Sequence, residues 1–147
     1  MGVRMTPDEI AAFMAAADVG ILCTLRRDGS PIALPMWFVV IDEDICFRTR
    51  RTGRKVERIQ NDSRVSFVVD SGAAWRELAA VVVNGRAEEA EPPLAERIEA
   101  ALAEKYAGRG VPGSAPARTR DHYAVPTVYY RIVPDGRVLT WNNAKLM

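Results

Sequence analysis

The chain contains one histidine, His122, and two cysteines, Cys23 and Cys46. A single imidazole and no CxxC spacing put the usual zinc ligand sets out of reach. Both cysteines lie inside apolar runs and read as buried free thiols rather than a disulfide framework. Charge of one sign is also scarce. A formal net charge of +1 over 147 residues argues against a general nucleic-acid binder. No apolar run approaches the roughly 20 residues that cross a bilayer. The first apolar stretch is broken by Asp8, Glu9 and Asp18 and does not resemble a signal peptide. The expectation is a cytoplasmic protein without a membrane-spanning segment. Ser-His-Asp and paired-carboxylate constellations do not stand out either. There are no internal repeats and no linker, so residues 1–147 read as one domain.

What is present is a succession of short apolar strands separated by tight turns. Thr6-Pro7-Asp8-Glu9 is a capping box that opens a helix. Val19–Arg26 reads as a strand and is followed by the Asp28-Gly29 turn. Pro31–Ile41 is apolar at nearly every position, as in a strand buried on both faces. Asp42-Glu43-Asp44 makes a second turn, and Ile45–Thr49 a third strand. Thr52–Asn61 reads as a short helix with Thr52 as its N-cap and Val56 and Ile59 as its apolar edge. Arg64–Asp70 and Leu78–Ala90 are further strands, the second containing Asn84-Gly85. Pro92-Pro93 opens a helix reaching about Tyr106, with Leu94, Ile98, Leu102 and Tyr106 as its buried stripe. Residues 108–120 read as a loop, and Thr127–Val133 with Arg137–Trp141 as a final hairpin. The expected fold is mainly β: a small barrel of six to seven mostly antiparallel strands with about three outer helices.

The charge is distributed unevenly. Between Arg48 and Arg58 there are six basic residues and one acid, Glu57, giving +5 where the whole chain carries +1. The cations gather where a strand ends and a helix begins. There they oppose the helix dipole unless an anion is present. Thr49 and Thr52 add hydroxyl donors, Gly53 permits close approach to the backbone, and the helix entrance supplies free N–H groups. This combination suits a phosphate. The segment is short and lacks interleaved aromatics for base stacking, which disfavours nucleic acid. The neighbouring apolar strand carries Leu34, Pro35, Met36, Trp37 and Phe38, so the ligand expected is a flat ring bearing a phosphate. Flavin mononucleotide (FMN) has that shape.

The order of these elements resembles the pyridoxamine 5′-phosphate oxidase-like, flavin-binding split β-barrel family. The Asp-Gly turn, the Pro-Met-Trp-Phe strand, the strand ending in Arg-Thr, and Thr-Gly-Arg-Lys opening a helix that closes on Asn-Asp-Ser-Arg carry the likeness. The residues from Arg137 to Leu146 are similar to endings in the branch that includes deazaflavin (coenzyme F420) enzymes. The resemblance implies a homodimer with flavin at the subunit interface. It implies phosphate contacts from Thr49, Thr52, Gly53, Arg54 and Lys55, with Arg48 preceding them, and a ring lying along Leu34 to Phe38. Trp141 is either a core residue or a flank of the partner's flavin. Arg50, Arg51 and Arg58 are surplus to a phosphate and would either meet the acidic tail of F420 or lie as surface residues. The function expected is hydride or electron transfer between FMN and a small organic substrate, with His122 or Tyr123 touching that substrate if their loop folds over the ring. The alternatives are an F420-dependent reductase, a non-catalytic flavin or deazaflavin carrier or sensor, and a binder of another phosphorylated ligand or of haem.

Overall fold

The structure is a computed structural model that describes residues 3–146. Helix α1 (Pro7–Ala16) begins at the capping box. The Glu9 N–H donates to Thr6 Oγ1 at 3.2 Å, and the Thr6 N–H donates to Glu9 Oε2 at 2.7 Å. Strands β1 (Gly20–Leu25) and β2 (Pro31–Met36) form a hairpin. Its turn is held by Asp28, which accepts from the Ser30 N–H at 2.9 Å and the Ser30 hydroxyl at 2.6 Å. Gly29 takes a φ of 85° there, a conformation that costs glycine least. Strands β3 (Val39–Ile41) and β4 (Asp44–Arg50) are joined by Asp42 and Glu43, both at positive φ, as a two-residue hairpin turn demands. The remaining elements are α2 (Arg54–Asn61), β5 (Arg64–Ser71), β6 (Ala79–Glu89), α3 (Pro92–Lys105), α4 (Ala117–Tyr123), β7 (Thr127–Pro134) and β8 (Leu139–Asn142).

All strand pairings are antiparallel, in the order β2-β1-β5-β6-β7-β4-β3, with β8 attached to β6. β2 and β3 occupy opposite ends of this order, yet only Trp37 and Phe38 separate them in sequence. The sheet must therefore curl until its ends meet, and the chain itself bridges the seam. This is a mainly β, antiparallel half-barrel. Its interior is filled by Leu22, Phe38, Phe47, Phe67, Val69, Val81 and Ile132, with the Phe38 ring edge-on to Phe67 at 5.3 Å. A second cluster lies beneath α3, where Ile98, Leu102 and Tyr106 pack on Val39, Ile41 and Cys46. Burial, helped by the charge of Asp44, pushes the Cys46 thiol up to about 11, so it remains protonated and inert.

The seam is pinned by the C-terminal end of α3. The Tyr106 hydroxyl accepts from the Phe38 N–H at 3.1 Å and lies 2.9 Å from the Asp18 carbonyl and 3.0 Å from that of Phe38. Lys105 Nζ donates to the Phe38 carbonyl at 3.0 Å and sits 3.9 Å above the Phe38 ring. The Tyr106 ring stacks on Trp37 with centroids 4.3 Å apart. Phe38 is fully buried and sits between the two strands, so these partners replace the ladder bonds its backbone would otherwise lack.

Several sequence expectations need correction. Pro31–Ile41 is two strands rather than one, and β2 alternates between exposed and half-buried positions instead of hiding both faces. Its apolar exposed face, not a two-sided core, explains the run. Gly53, not Thr52, is the N-cap of α2, because a Gly53 N–H to Arg50 carbonyl bond of 2.9 Å holds the preceding residues in a turn. The segment read as a loop runs into α4 at Ala117, a helix with no buried residue and therefore no apolar stripe to betray it. Residues 127–142 do not form a hairpin. β6 is long enough to pair with β8 at Ala79–Val82 and with β7 at Gly85–Glu89 along the same edge. Asn84-Gly85 marks the changeover. A side chain on Gly85 would collide with the Val133 carbonyl.

Tyr106→Phe should leave the buried Phe38 N–H without a partner and lower stability by about 1–3 kcal/mol. Urea unfolding checks this. A change too small to measure would mean that the hydroxyl does not pin the seam.

Candidate functional site

The basic segment divides when each cation is traced to its neighbours. Arg48 donates to both oxygens of Glu99, at 3.1 and 2.9 Å. Tyr129 donates to the same carboxylate at 2.6 Å. These bonds, Tyr129's first and then Arg48's, hold the Glu99 carboxyl below the usual carboxylate range. Arg51 pairs with Glu89 at 3.1 Å, an exposed contact of small value. Arg50, Arg54, Lys55 and Arg58 form no ion pair among the described residues. Lys55 is pushed below the ordinary lysine range, first by burial and then by the charges of Arg58 and Arg50. No side chain caps α2, so the dipole end beside Lys55 is unshielded. Gly53 lies over Thr49: a Cβ at Gly53 would stand 3.9 Å from Thr49 Oγ1 and 3.1 Å from the Arg50 carbonyl.

Thr49, Arg50 and Lys55 open into a cleft of about 950 Å3. Its floor combines Pro35, Met36 and Trp37 from the seam with Arg48 and Thr49 from β4. The rest of its wall comes from residues 109–113 and the end of α4, including Arg120, His122 and Tyr123. Trp37 stacks on Tyr106 and, 37% exposed, lines the cleft. The cleft thus has an apolar aromatic end and a cationic, hydroxyl-bearing end.

Of the residues singled out from sequence, Pro35, Met36, Trp37, Arg48, Thr49 and Lys55 line this cleft together. Leu34 faces the barrel interior opposite Leu22, and Phe38 is buried in the core. Thr52 is exposed in the turn before α2, and Gly53 caps that helix. Arg54 lies outside the cleft. It lines a separate groove with Arg26, Arg27 and Arg58, because consecutive helical residues point about 100° apart. Trp141 is on the outer sheet face opposite Ala80, 39% exposed, and is not a core residue. Sequence reasoning missed Tyr106 and Lys105 as supports of the site. Their only signal was the position of Tyr106 at the end of the α3 stripe.

The outer sheet face carries an apolar row across five strands. Cross-strand registers align Pro35, Ile21, Val68, Val82 and Leu139 side by side, with Trp141 adjacent. Leu139 is 51% exposed. Pro35 belongs both to this row and to the cleft, so the cleft opens at the edge of an apolar face.

Residues 6–133 match the sequence model of the pyridoxamine 5′-phosphate oxidase family, and the chain belongs to that family. No curated protein matches it. Among solved structures, a conserved hypothetical protein from Mycobacterium tuberculosis is 31% identical, with a TM-score of 0.83, covering 99% of this chain and 89% of that one. An FAD-binding protein from Mesorhizobium loti is 23% identical, with a TM-score of 0.69, covering 92% and 94% of the two chains. A heme storage protein from Vibrio cholerae is 14% identical, with a TM-score of 0.71, covering 98% and 99%. The last two likenesses establish the fold and leave function to the site. Among the described residues no helix is long and apolar enough to cross a membrane, and no group of three or more His, Cys, Asp or Glu is placed to hold a metal.

Proposed function

We propose that the cleft binds a flavin through its phosphate, with FMN as the occupant, and that the protein is an oxidoreductase acting on a small organic molecule. The observation that carries this reading is the pairing, in one cleft, of an apolar aromatic floor at Pro35–Trp37 with an unneutralised cationic end at Thr49, Arg50 and Lys55. The fit to the group is chemical. Among the described residues Lys55 has no carboxylate partner, and it is crowded by two guanidiniums, so a phosphate relieves a repulsion already present. The Thr49 hydroxyl supplies a neutral donor beside it, and the uncapped start of α2 adds its dipole. A bound flavin supplies hydride or electron transfer, and the protein supplies position, charge and exclusion of water. Trp37, fixed by Tyr106, offers a flat surface to the ring. His122 and Tyr123 in the cleft wall are the side chains available to a substrate.

The same reading includes a homodimer. The apolar row from Pro35 to Leu139 is the kind of continuous patch that soluble monomers rarely leave open. Covering it with a second copy would bring another chain to the mouth of the cleft, and Trp141 with it. A second reading, a carrier or storage role without turnover, is favoured by the heme storage neighbour and by His122 in the cleft wall. A haem propionate could use the same cations, but Thr49 and the start of α2 suit a phosphate better.

Titration with FMN, and in parallel with F420 and haem, tests the reading. FMN should bind, and Lys55→Ala should weaken it by roughly 1.5–3 kcal/mol, about ten- to a hundredfold in Kd. Arg54→Ala should stay within about threefold, being outside the cleft. Affinity should fall as pH rises through the lowered pKa of Lys55, since the neutral amine loses its attraction, and Lys55→Arg should flatten that fall. No FMN binding, or equal binding by Lys55→Ala, contradicts the site. Turnover with an electron acceptor beyond the rate of free flavin separates the enzyme from the carrier.

Leu139→Glu, which places a charge in the apolar row, should give a monomer by sedimentation where the unaltered protein gives a dimer. An unaltered protein that is itself monomeric removes the dimer from the proposal.

A further inference from the structure

A second groove lies on the other side of α2 and shares no residue with the cleft. Its volume is about 680 Å3, and its lining brings Arg26 and Arg27 from the β1–β2 turn to face Arg54 and Arg58 on α2. One carboxylate, Glu57, also lines it, so four arginines against one acid leave a surplus of three positive charges. None of the four takes part in an ion pair among the described residues. Arg54 and Arg58 are four apart on one helix, where like charges repel. Arg26, Arg27 and Arg54 are exposed, while the Arg58 side chain and the backbone turn that carries Arg26 and Arg27 are held in place. Arg58 Nε donates to the Thr24 hydroxyl at 2.8 Å, and Thr24 is buried, 2% exposed. The turn bearing Arg26 and Arg27 is fixed by the two Asp28–Ser30 bonds and by the Arg26 N–H donating to the Ser30 carbonyl at 2.9 Å.

We infer that this groove is a second anion site that takes the diphosphate group of a small molecule. Guanidiniums are planar forks that grip phosphate oxygens in pairs, and several converging on one groove suit an anion with more than one phosphoryl group. A single phosphate would not neutralise a surplus of three. Single-stranded nucleic acid is less suited, because no aromatic side chain lines the groove to stack a base. Because Arg54 lines the groove while Lys55 lines the cleft, consecutive residues of one helical turn serve two separate anions.

The test is titration with inorganic pyrophosphate, followed by calorimetry, on protein with and without saturating FMN. Pyrophosphate should bind in both cases. The Arg26→Ala, Arg27→Ala double variant should weaken it at least tenfold while leaving FMN affinity unchanged, and Lys55→Ala should do the reverse. Both arginines are exposed on a turn, and an unchanged thermal midpoint verifies that the variant is folded. The inference is overturned if pyrophosphate does not bind, if FMN displaces it, or if the double variant binds it equally well. Inorganic phosphate or an oligonucleotide binding more tightly than pyrophosphate overturns the diphosphate assignment. Failure of FMN to bind, with pyrophosphate still dependent on Arg26 and Arg27, would remove the flavin reading and leave this one standing.

Discussion

The contact on which the architecture rests is the one between the Tyr106 hydroxyl and the backbone of Phe38. Strands at opposite ends of a seven-strand path are joined by two residues, so the sheet has to curl and the joint has to be held. Phe38 contributes its ring to the barrel interior but its N–H and carbonyl fall between ladders. Tyr106 and Lys105 supply the missing partners from α3, an element that otherwise packs on the outside of the sheet. The consequence reaches the site. With the seam held, Trp37 is stacked on Tyr106 and presented at the cleft, and the end of β4 is brought beside it with Thr49 and Arg50. Without this joint the aromatic and cationic ends of the cleft would have no fixed relation.

A second constraint is electrostatic. The +5 segment is not a uniform patch. The fold neutralises Arg48 with Glu99 and Arg51 with Glu89, and among the described residues leaves Arg50, Arg54, Lys55 and Arg58 without acidic partners. Helix α2 then sorts these four. Lys55 turns toward the cleft with Arg50, while Arg54 and Arg58 turn toward the Arg26–Arg27 groove. A short helix with Val56 and Ile59 buried in the barrel has one orientation available, and that orientation separates the two cationic sets.

The parts of this that could be read in the sequence are those governed by local rules. The Thr6–Glu9 box, the Asp-Gly turn and the four-residue stripe of α3 each depend on neighbours within one or two turns of chain. Composition and position likewise singled out Pro35, Met36, Trp37, Thr49 and Lys55, which line one cleft, together with Thr52, Gly53 and Arg54, which do not line it. What could not be read depends on distant partners. Nothing in residues 137–142 says that they pair with β6 rather than with β7. The run Pro31–Ile41 is apolar throughout, so composition could not show that Trp37 and Phe38 leave the ladder. Arg54 and Lys55 look equivalent until the helix start is fixed at Gly53, which decides the direction of each side chain. Tyr106 was legible as a core residue, but the service its hydroxyl performs sixty-eight residues away was not.

The most direct test of the central claim is a crystal structure of the protein grown with FMN. The phosphate should lie against Thr49 and Lys55 at the start of α2, with the ring beside Pro35 and Trp37. Density for the phosphate between Arg26 and Arg54, or a cleft without flavin in crystals from saturated solution, would contradict it.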